Sequence, residues 1–242
     1  MKKLIAILSL ALLPLVGFAN EGHHLESANV DLTDHAAMQR GAKYFVNYCQ
    51  GCHSLKYVRY ELFENFGLTK EQILNNLMFS EGKIGDLITT SMPEGASADW
   101  FGKTPPDLTL EARLKHGHAD WIYTYLKSFY VDESRPFGVN NVVFPNVGMP
   151  HVLMELQGVQ EAVIEKDEHG NEHVKELKLV KPGRLSPEEY DQLARDLTTF
   201  LTYVAEPMKQ ERQHLGIWVM LFLLVFFVVS VMLKKEYWKD VH

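Results

Sequence analysis

Five consecutive residues, Cys49-Gln50-Gly51-Cys52-His53, constrain this chain more than any other stretch of its 242 residues. C-x-x-C-H is the pattern through which a c-type haem is attached. Two thiols add across the two vinyl groups of the porphyrin, and a two-residue spacer lets both sulfurs reach one edge of the ring. The adjoining imidazole then becomes the proximal axial ligand of the iron. Other readings of the pattern fit less well. A structural zinc site needs four nitrogen or sulfur ligands, and Cys49 and Cys52 are the two cysteines of the whole sequence. A thioredoxin-like dithiol explains the cysteines but not His53, and it wants a βαβ context that the flanking pattern lacks. A disulfide across so short a loop is strained.

Both ends of the chain carry apolar segments of different kinds. Residues 1–19 read as a secretory signal, with Lys2 and Lys3 ahead of the apolar run Leu4 to Val16 and Gly17-Phe18-Ala19 before a cleavage point. That run is short for a bilayer, so the mature chain is expected to begin near Asn20. Leu215 to Leu233 is different, 19 residues without a charge. At about 1.5 Å per residue this is roughly the thickness of a hydrocarbon core. Trp218, Tyr237 and Trp238 stand where interfacial aromatics do, and Lys234, Lys235 and Lys239 follow the span. The expected organisation is a signal peptide 1–19, an exported domain 20–213, a transmembrane helix 214–234 and a cytoplasmic tail 235–242.

Of 24 basic and 31 acidic residues, five lysines and two acids fall in the leader and tail, leaving 19 and 29 in the exported part, a net of −10. That balance argues against a nucleic-acid partner. It suits either a solubilising surface or attraction of a basic protein.

Within the exported part the pattern is mainly helical. A helix is predicted from the Thr33 cap through Ala37, Gly41, Phe45 and Tyr48 into Cys49. Gly41 costs such a helix about 1 kcal/mol relative to Ala, which a close crossing with another helix would offset. The expected partner is 187–206, where Ser186 and Glu189 form a capping box and Tyr190, Leu193, Leu197, Phe200, Leu201 and Val204 make an apolar stripe. Thr69 and Gln72 open a short helix through about Phe79, Ser80 to Trp100 reads as loop, and helical turns follow at Ala112–Leu114 and Ala119–Tyr130. Residues 131–150 form a long proline- and glycine-rich loop, and long ordered loops are usually functional. Val159–Lys166 and Glu172–Val180 predict a hairpin. His23, His24, His169 and His173 read as solvated histidines.

A low-spin electron carrier needs a sixth iron ligand. Met38 and Met208 sit on helices expected to pack or to meet the membrane, Met78 ends an amphipathic helix, and Met154 follows the long loop. Met92 and Met149 lie in loops beside proline. Gly148 before Met149 and Pro150 after it favour Met149 over Met92, because glycine admits close backbone approach and proline stiffens the loop.

Four features in order resemble the cytochrome c1 family of bacterial type: Cys49-Gln-Gly-Cys-His53-Ser54-Leu55, Pro105-Pro106-Asp107-Leu108, Val147-Gly148-Met149-Pro150, and one C-terminal span after Ala205-Glu206-Pro207. The resemblance covers nearly the whole mature chain. It implies a class I cytochrome c-like haem domain with long loops and a small β-hairpin, plus one transmembrane helix. It implies one covalent haem c on Cys49 and Cys52, His53 as proximal ligand, Met149 as distal ligand, and Arg113 facing a haem propionate. It further implies a place in the ubiquinol–cytochrome c reductase. There the partners are a cytochrome b subunit, a Rieske iron–sulfur subunit and a soluble or membrane-bound cytochrome c. The haem domain would be periplasmic, anchored singly in the bacterial inner membrane. The chain would relay electrons and make no bonds itself.

An independent membrane-anchored shuttle cytochrome c would explain motif, export and anchor, but not Pro105-Pro106-Asp107-Leu108. A membrane-anchored thiol–disulfide oxidoreductase leaves His53 unexplained. A dihaem peroxidase would need a second C-x-x-C-H.

Overall fold

The computed structural model describes residues 24–166, 170 and 172–240, so the expected signal peptide, His23 and His169 lie outside the described residues. Helix α1 (His35–Tyr44) is capped by Asp34, whose carboxylate accepts from Ala37 N at 2.9 Å. Thr33, the predicted cap, instead donates its N–H and hydroxyl to Asp31, bracing the turn before the helix. α1 continues into a π-helical turn, Phe45–Cys49, that carries the first cysteine. Such wide turns inside helices recur at functional sites.

Strand β1 (Leu55–Arg59) leads into a 3-10 turn, Tyr60–Phe66, and then α2 (Lys70–Asn76), which has the complete Thr69–Gln72 capping box. β2 (Leu87–Ile88) pairs antiparallel with β1, and α3 (Glu94–Phe101) follows. Both correct the expected loop over 80–100. Next come α4 (Glu111–Leu114), α5 (His118–Lys127), β3 (Phe129–Val131) and β4 (Val139–Asn141). The predicted long loop is therefore partly an antiparallel pair, with Val131 opposite Val139. α6 (Met154–Gln157) precedes the hairpin of β5 (Gly158–Lys166) and β6 (Glu172–Pro182). α7 (Pro187–Ala205) starts on the predicted Ser186–Glu189 box, and α8 (Lys209–Tyr237) ends the chain.

The frame is the crossing of α1 and α7. A Cβ on Gly41 would stand 2.2 Å from the carbonyl oxygen of Asp196 and 2.6 Å from Cβ of Phe200. Nothing larger than hydrogen fits there, and this close approach offsets the helix penalty of the glycine. Phe200 is fully buried, 5.7 Å from the Phe45 ring and 5.6 Å from Phe63. Burying each such side chain contributes about 1.5–3 kcal/mol. Arg40 closes the crossing with a two-pronged pair to Asp196 at 2.6 and 2.8 Å, and Asp196 is only 1% exposed.

The hairpin of β5 and β6 is anchored at its base, where the Gln160 side-chain amide donates to the carbonyls of Lys127 and Phe129, both at 2.9 Å. α8 is unlike the other helices. It buries none of its residues, and it is long and apolar enough to cross a membrane, with a mean hydropathy of 2.8 over its most apolar window. Apolar side chains exposed on every face need a nonaqueous surrounding.

Candidate haem-binding site

The π-helical turn places Cys49 at the end of a rigid element, and His53 N donates to Cys49 O at 2.8 Å, folding the motif back on itself. Cys49, Cys52 and His53 line one cavity of about 320 Å³. Both thiols are free. Burial, and to a smaller extent the neighbouring Cys52, pushes the Cys49 thiol up to about 12. A reactive dithiol needs the opposite shift.

His53 is buried, and its Nδ1 lies 2.7 Å from the carbonyl oxygen of Pro106. A carbonyl only accepts, so Nδ1 carries the proton and Nε2 keeps the lone pair that a metal would use. Desolvation lowers the His53 pKa, against the opposing pull of the Pro106 carbonyl, which favours the neutral ligand form. The Pro106 carbonyl is itself fixed. Leu108 N donates to Ser54 O at 2.9 Å, and Asp107 accepts from Lys56 N at 2.7 Å and Thr109 N at 3.0 Å. Thus the Pro-Pro-Asp-Leu segment is laced to the residues just after the motif.

Met149 lines the same cavity. Its loop is held by Asn140, which accepts from Asn146 N at 2.8 Å, and by Arg135, which donates to Asn146 at 3.0 and 3.1 Å. Gly148 sits close to the end of α3, where an added Cβ would be 3.3 Å from Phe101 O. The Tyr125 hydroxyl donates to Met149 Sδ at 3.3 Å. Burial raises the Tyr125 pKa, so the phenol remains a donor.

Met92 does not line this cavity but a crevice of about 30 Å³ on the side of Cys52 and Ser54. Met38 is in the core, Met78 packs against it, Met154 packs with Phe129, Val139 and Val147, and Met208 is exposed.

The resemblance turns Arg113 toward a haem propionate. It is not among the cavity residues; its side chain is 57% exposed and its guanidinium lies 4.0 Å from Glu206. The reason is helical geometry. Glu111 and Lys115, four apart, share the cavity face of the α4 turn, and residue 113 between them points away. Lys115, lying 4.5 Å over the Trp121 ring, and Lys103 are the cations of the cavity. Tyr125, Lys115, Asn140 and Asn141 carry no motif signal in the sequence, because their roles come from the packing of α4, α5 and β4.

The residues fit a haem. Two thiols, an imidazole with Nε2 left for a metal, a thioether and apolar walls from Phe101, Pro105, Leu108, Trp121, Leu197 and Leu201 surround one space, and the lysines suit carboxylates.

Comparison with known proteins agrees. The sequence model of the Cytochrome C1 family matches residues 26–241. Cytochrome c1 of Allochromatium vinosum is 54% identical over 246 aligned positions that cover 100% of both chains. The ammonia monooxygenase gamma subunit of Nitrosomonas europaea is 40% identical, covering 98% of this chain and 97% of its own. Mitochondrial cytochrome c1 of Saccharomyces cerevisiae is 28% identical over 86% of this chain and 68% of its own. The protein carries one covalent haem c through its C-x-x-C-H motif and is an electron-transfer subunit of the bc1 oxidoreductase complex. With its motif, its cavity and this similarity over the full length, the chain belongs to the cytochrome c1 family.

Proposed function

We propose that the chain relays single electrons from the Rieske iron–sulfur subunit to a c-type cytochrome, soluble or membrane-bound, in a complex that also contains cytochrome b. The observation that carries this reading is that Met149, distant in sequence, lines the same cavity as Cys49, Cys52 and His53. Haem supplies one-electron chemistry at its iron. The chain would supply the rest: Cys49 and Cys52 would attach the ring, His53 would bind the iron through Nε2, and Met149 would offer its sulfur as the other protein ligand. Thioether ligation raises a haem potential, which suits a high-potential donor. Lys103 and Lys115, which line the cavity, would neutralise the propionates, and the apolar walls would exclude water. The α1–α7 crossing at Gly41, with the π-helical turn between it and the attachment motif, supports a domain fold of class I cytochrome c type.

In this reading residues 1–19 are removed on export, 20–213 form the periplasmic haem domain, 214–234 span the inner membrane and 235–242 are cytoplasmic. The length and full exposure of α8 support the anchor. Native electrophoresis of mildly solubilised membranes tests the assignment. The haem-stained chain should migrate with cytochrome b and the iron–sulfur protein, and quinol should reduce it only when the latter is present. Migration alone, with direct reduction by other donors, would instead make it an independent shuttle.

A further inference from the structure

We propose that Tyr125 is a positioning residue for the Met149 sulfur, its hydroxyl both aiming the thioether and raising the potential of the iron; this rests on Met149 being the sixth ligand. The Tyr125 hydroxyl donates to Met149 Sδ at 3.3 Å, and among the described residues that sulfur is its one hydrogen-bond partner. A thioether sulfur has two lone pairs and is a weak acceptor. One pair taken by the phenol leaves the other to face a metal, which restricts rotation about the terminal bonds of a flexible side chain.

The donor is itself held from several sides. The Tyr125 ring stacks on Trp121 at 5.0 Å and 12°, and meets Phe129 edge-on at 5.1 Å and 71°. Its backbone carbonyl accepts from Asn141 Nδ2 at 2.8 Å. The same Asn141 side chain accepts from Val143 N at 3.1 Å and Phe144 N at 3.2 Å, at the start of the segment that carries Met149. Donor and acceptor are therefore tied to each other through β4 as well as through the O–H···S contact. A contact supported in this way belongs to the shell that orients a ligand and tunes its metal.

The sign of the effect follows from charge. The phenol presents the positive end of its O–H dipole to the sulfur and draws electron density from it. A sulfur so polarised donates less to iron, and ferric iron loses more from that than ferrous iron. The hydrogen bond thus favours the reduced state and raises the potential.

Two substitutions in the full membrane-bound chain test this. Tyr125→Phe keeps the ring stack and removes the donor. Haem staining and the iron–sulfur charge-transfer absorption should persist while the potential falls, the oxidised-to-reduced ratio rising severalfold at fixed ambient potential. Site-specific replacement of Tyr125 by 3-fluorotyrosine strengthens the donor and should move the potential upward. Shifts of opposite sign are the signature, since a merely structural role would move both the same way or neither. If the phenylalanine variant yields no holoprotein, the fluorotyrosine shift alone decides. Unchanged potentials, or a fluorotyrosine shift downward, would overturn the inference. Met149→Leu separates it from the reading beneath it. If that variant keeps the charge-transfer absorption, the ligand assignment fails and Tyr125 falls with it. If the absorption is lost yet the Tyr125 variants match wild type, only the role of Tyr125 is wrong.

Discussion

His53 and Pro106 are joined by a hydrogen bond of 2.7 Å from the imidazole Nδ1 to the backbone carbonyl, so a segment some fifty residues away orients the imidazole. The anchor of that segment is Asp107, with its two backbone donors. Asp107→Ala should leave haem attached but lower the stability of the holoprotein by about 2 kcal/mol, the order expected for losing hydrogen bonds to a charged group. Denaturant unfolding followed by haem absorbance measures it, and Asp107→Asn should recover part of the loss.

The α1–α7 crossing makes a sharper demand. Gly41→Ala puts a methyl 2.2 Å from Asp196 O, and overpacking of this kind costs about 1–3 kcal/mol or more. The yield of haem-bearing protein should fall steeply. Gly95→Ala is the contrast, a glycine in α3 with nothing within 4 Å of an added Cβ. It should be neutral or slightly stabilising.

Met149→Leu keeps most of the side-chain volume and removes the sulfur. Haem should stay covalently bound, while the iron–sulfur charge-transfer absorption disappears, the potential drops and ferrous iron takes up carbon monoxide. Met92→Leu should change none of these. Optical spectra of both variants with a redox titration give the answer, and the reverse pattern would reassign the ligand to the Met92 loop.

The cations around the cavity make a graded expectation. Removing a positive charge near a haem favours ferric iron, so Lys115→Ala should lower the potential. Arg113→Ala should lower it less, because Arg113 is turned toward Glu206 and solvent. Equal shifts from the two, measured by titration at one ionic strength, would restore Arg113 to the haem.

Acid stability has an identifiable contributor. Asp191 is held down at about 2: burial pushes it up, and Lys127, Tyr123 and Arg195 more than offset that by hydrogen bonding. Lys127 bonds it at 2.7 Å and Arg195 at 3.0 Å. A carboxyl depressed in the folded state stabilises the fold above its unfolded pKa, near 4. That contribution is lost as pH falls from about 4 through about 2. Asp191→Asn should remove on the order of 1 kcal/mol at neutral pH, after allowing for partial exposure. Its thermal midpoint should then depend less on pH below 4 than that of the wild type.

Much of the frame was readable because its signals are local. The capping boxes at Thr69 and Ser186, the stripe on α7 and the hairpin strands all follow from residues a few positions apart, and the structure has each of them. The exposed apolar run of α8 was equally plain. What escaped depends on partners far away in sequence. β2 has two residues and exists only because β1 lies beside it, while Asn140 and Asn141 look like turn residues until β3 pairs with them. At the site, motif spacing pointed to Cys49, Cys52 and His53, and the Gly148–Pro150 loop setting to Met149; all four line one cavity. The sequence carries no phase for Arg113, which lies outside the cavity lining. Which face of a single helical turn looks inward is decided by packing, and Lys115 takes the inward position.

The joint between α7 and α8 consists of Glu206, Pro207 and Met208. Even fully extended, three residues reach only about 11 Å, and this joint is bent further by proline and clasped by the Glu206–Arg212 pair at 2.6 Å. A leash so short leaves the haem domain almost no radius in which to swing. In the proposed relay it is therefore the mooring, and the distance between donor and acceptor would be travelled by its visitors.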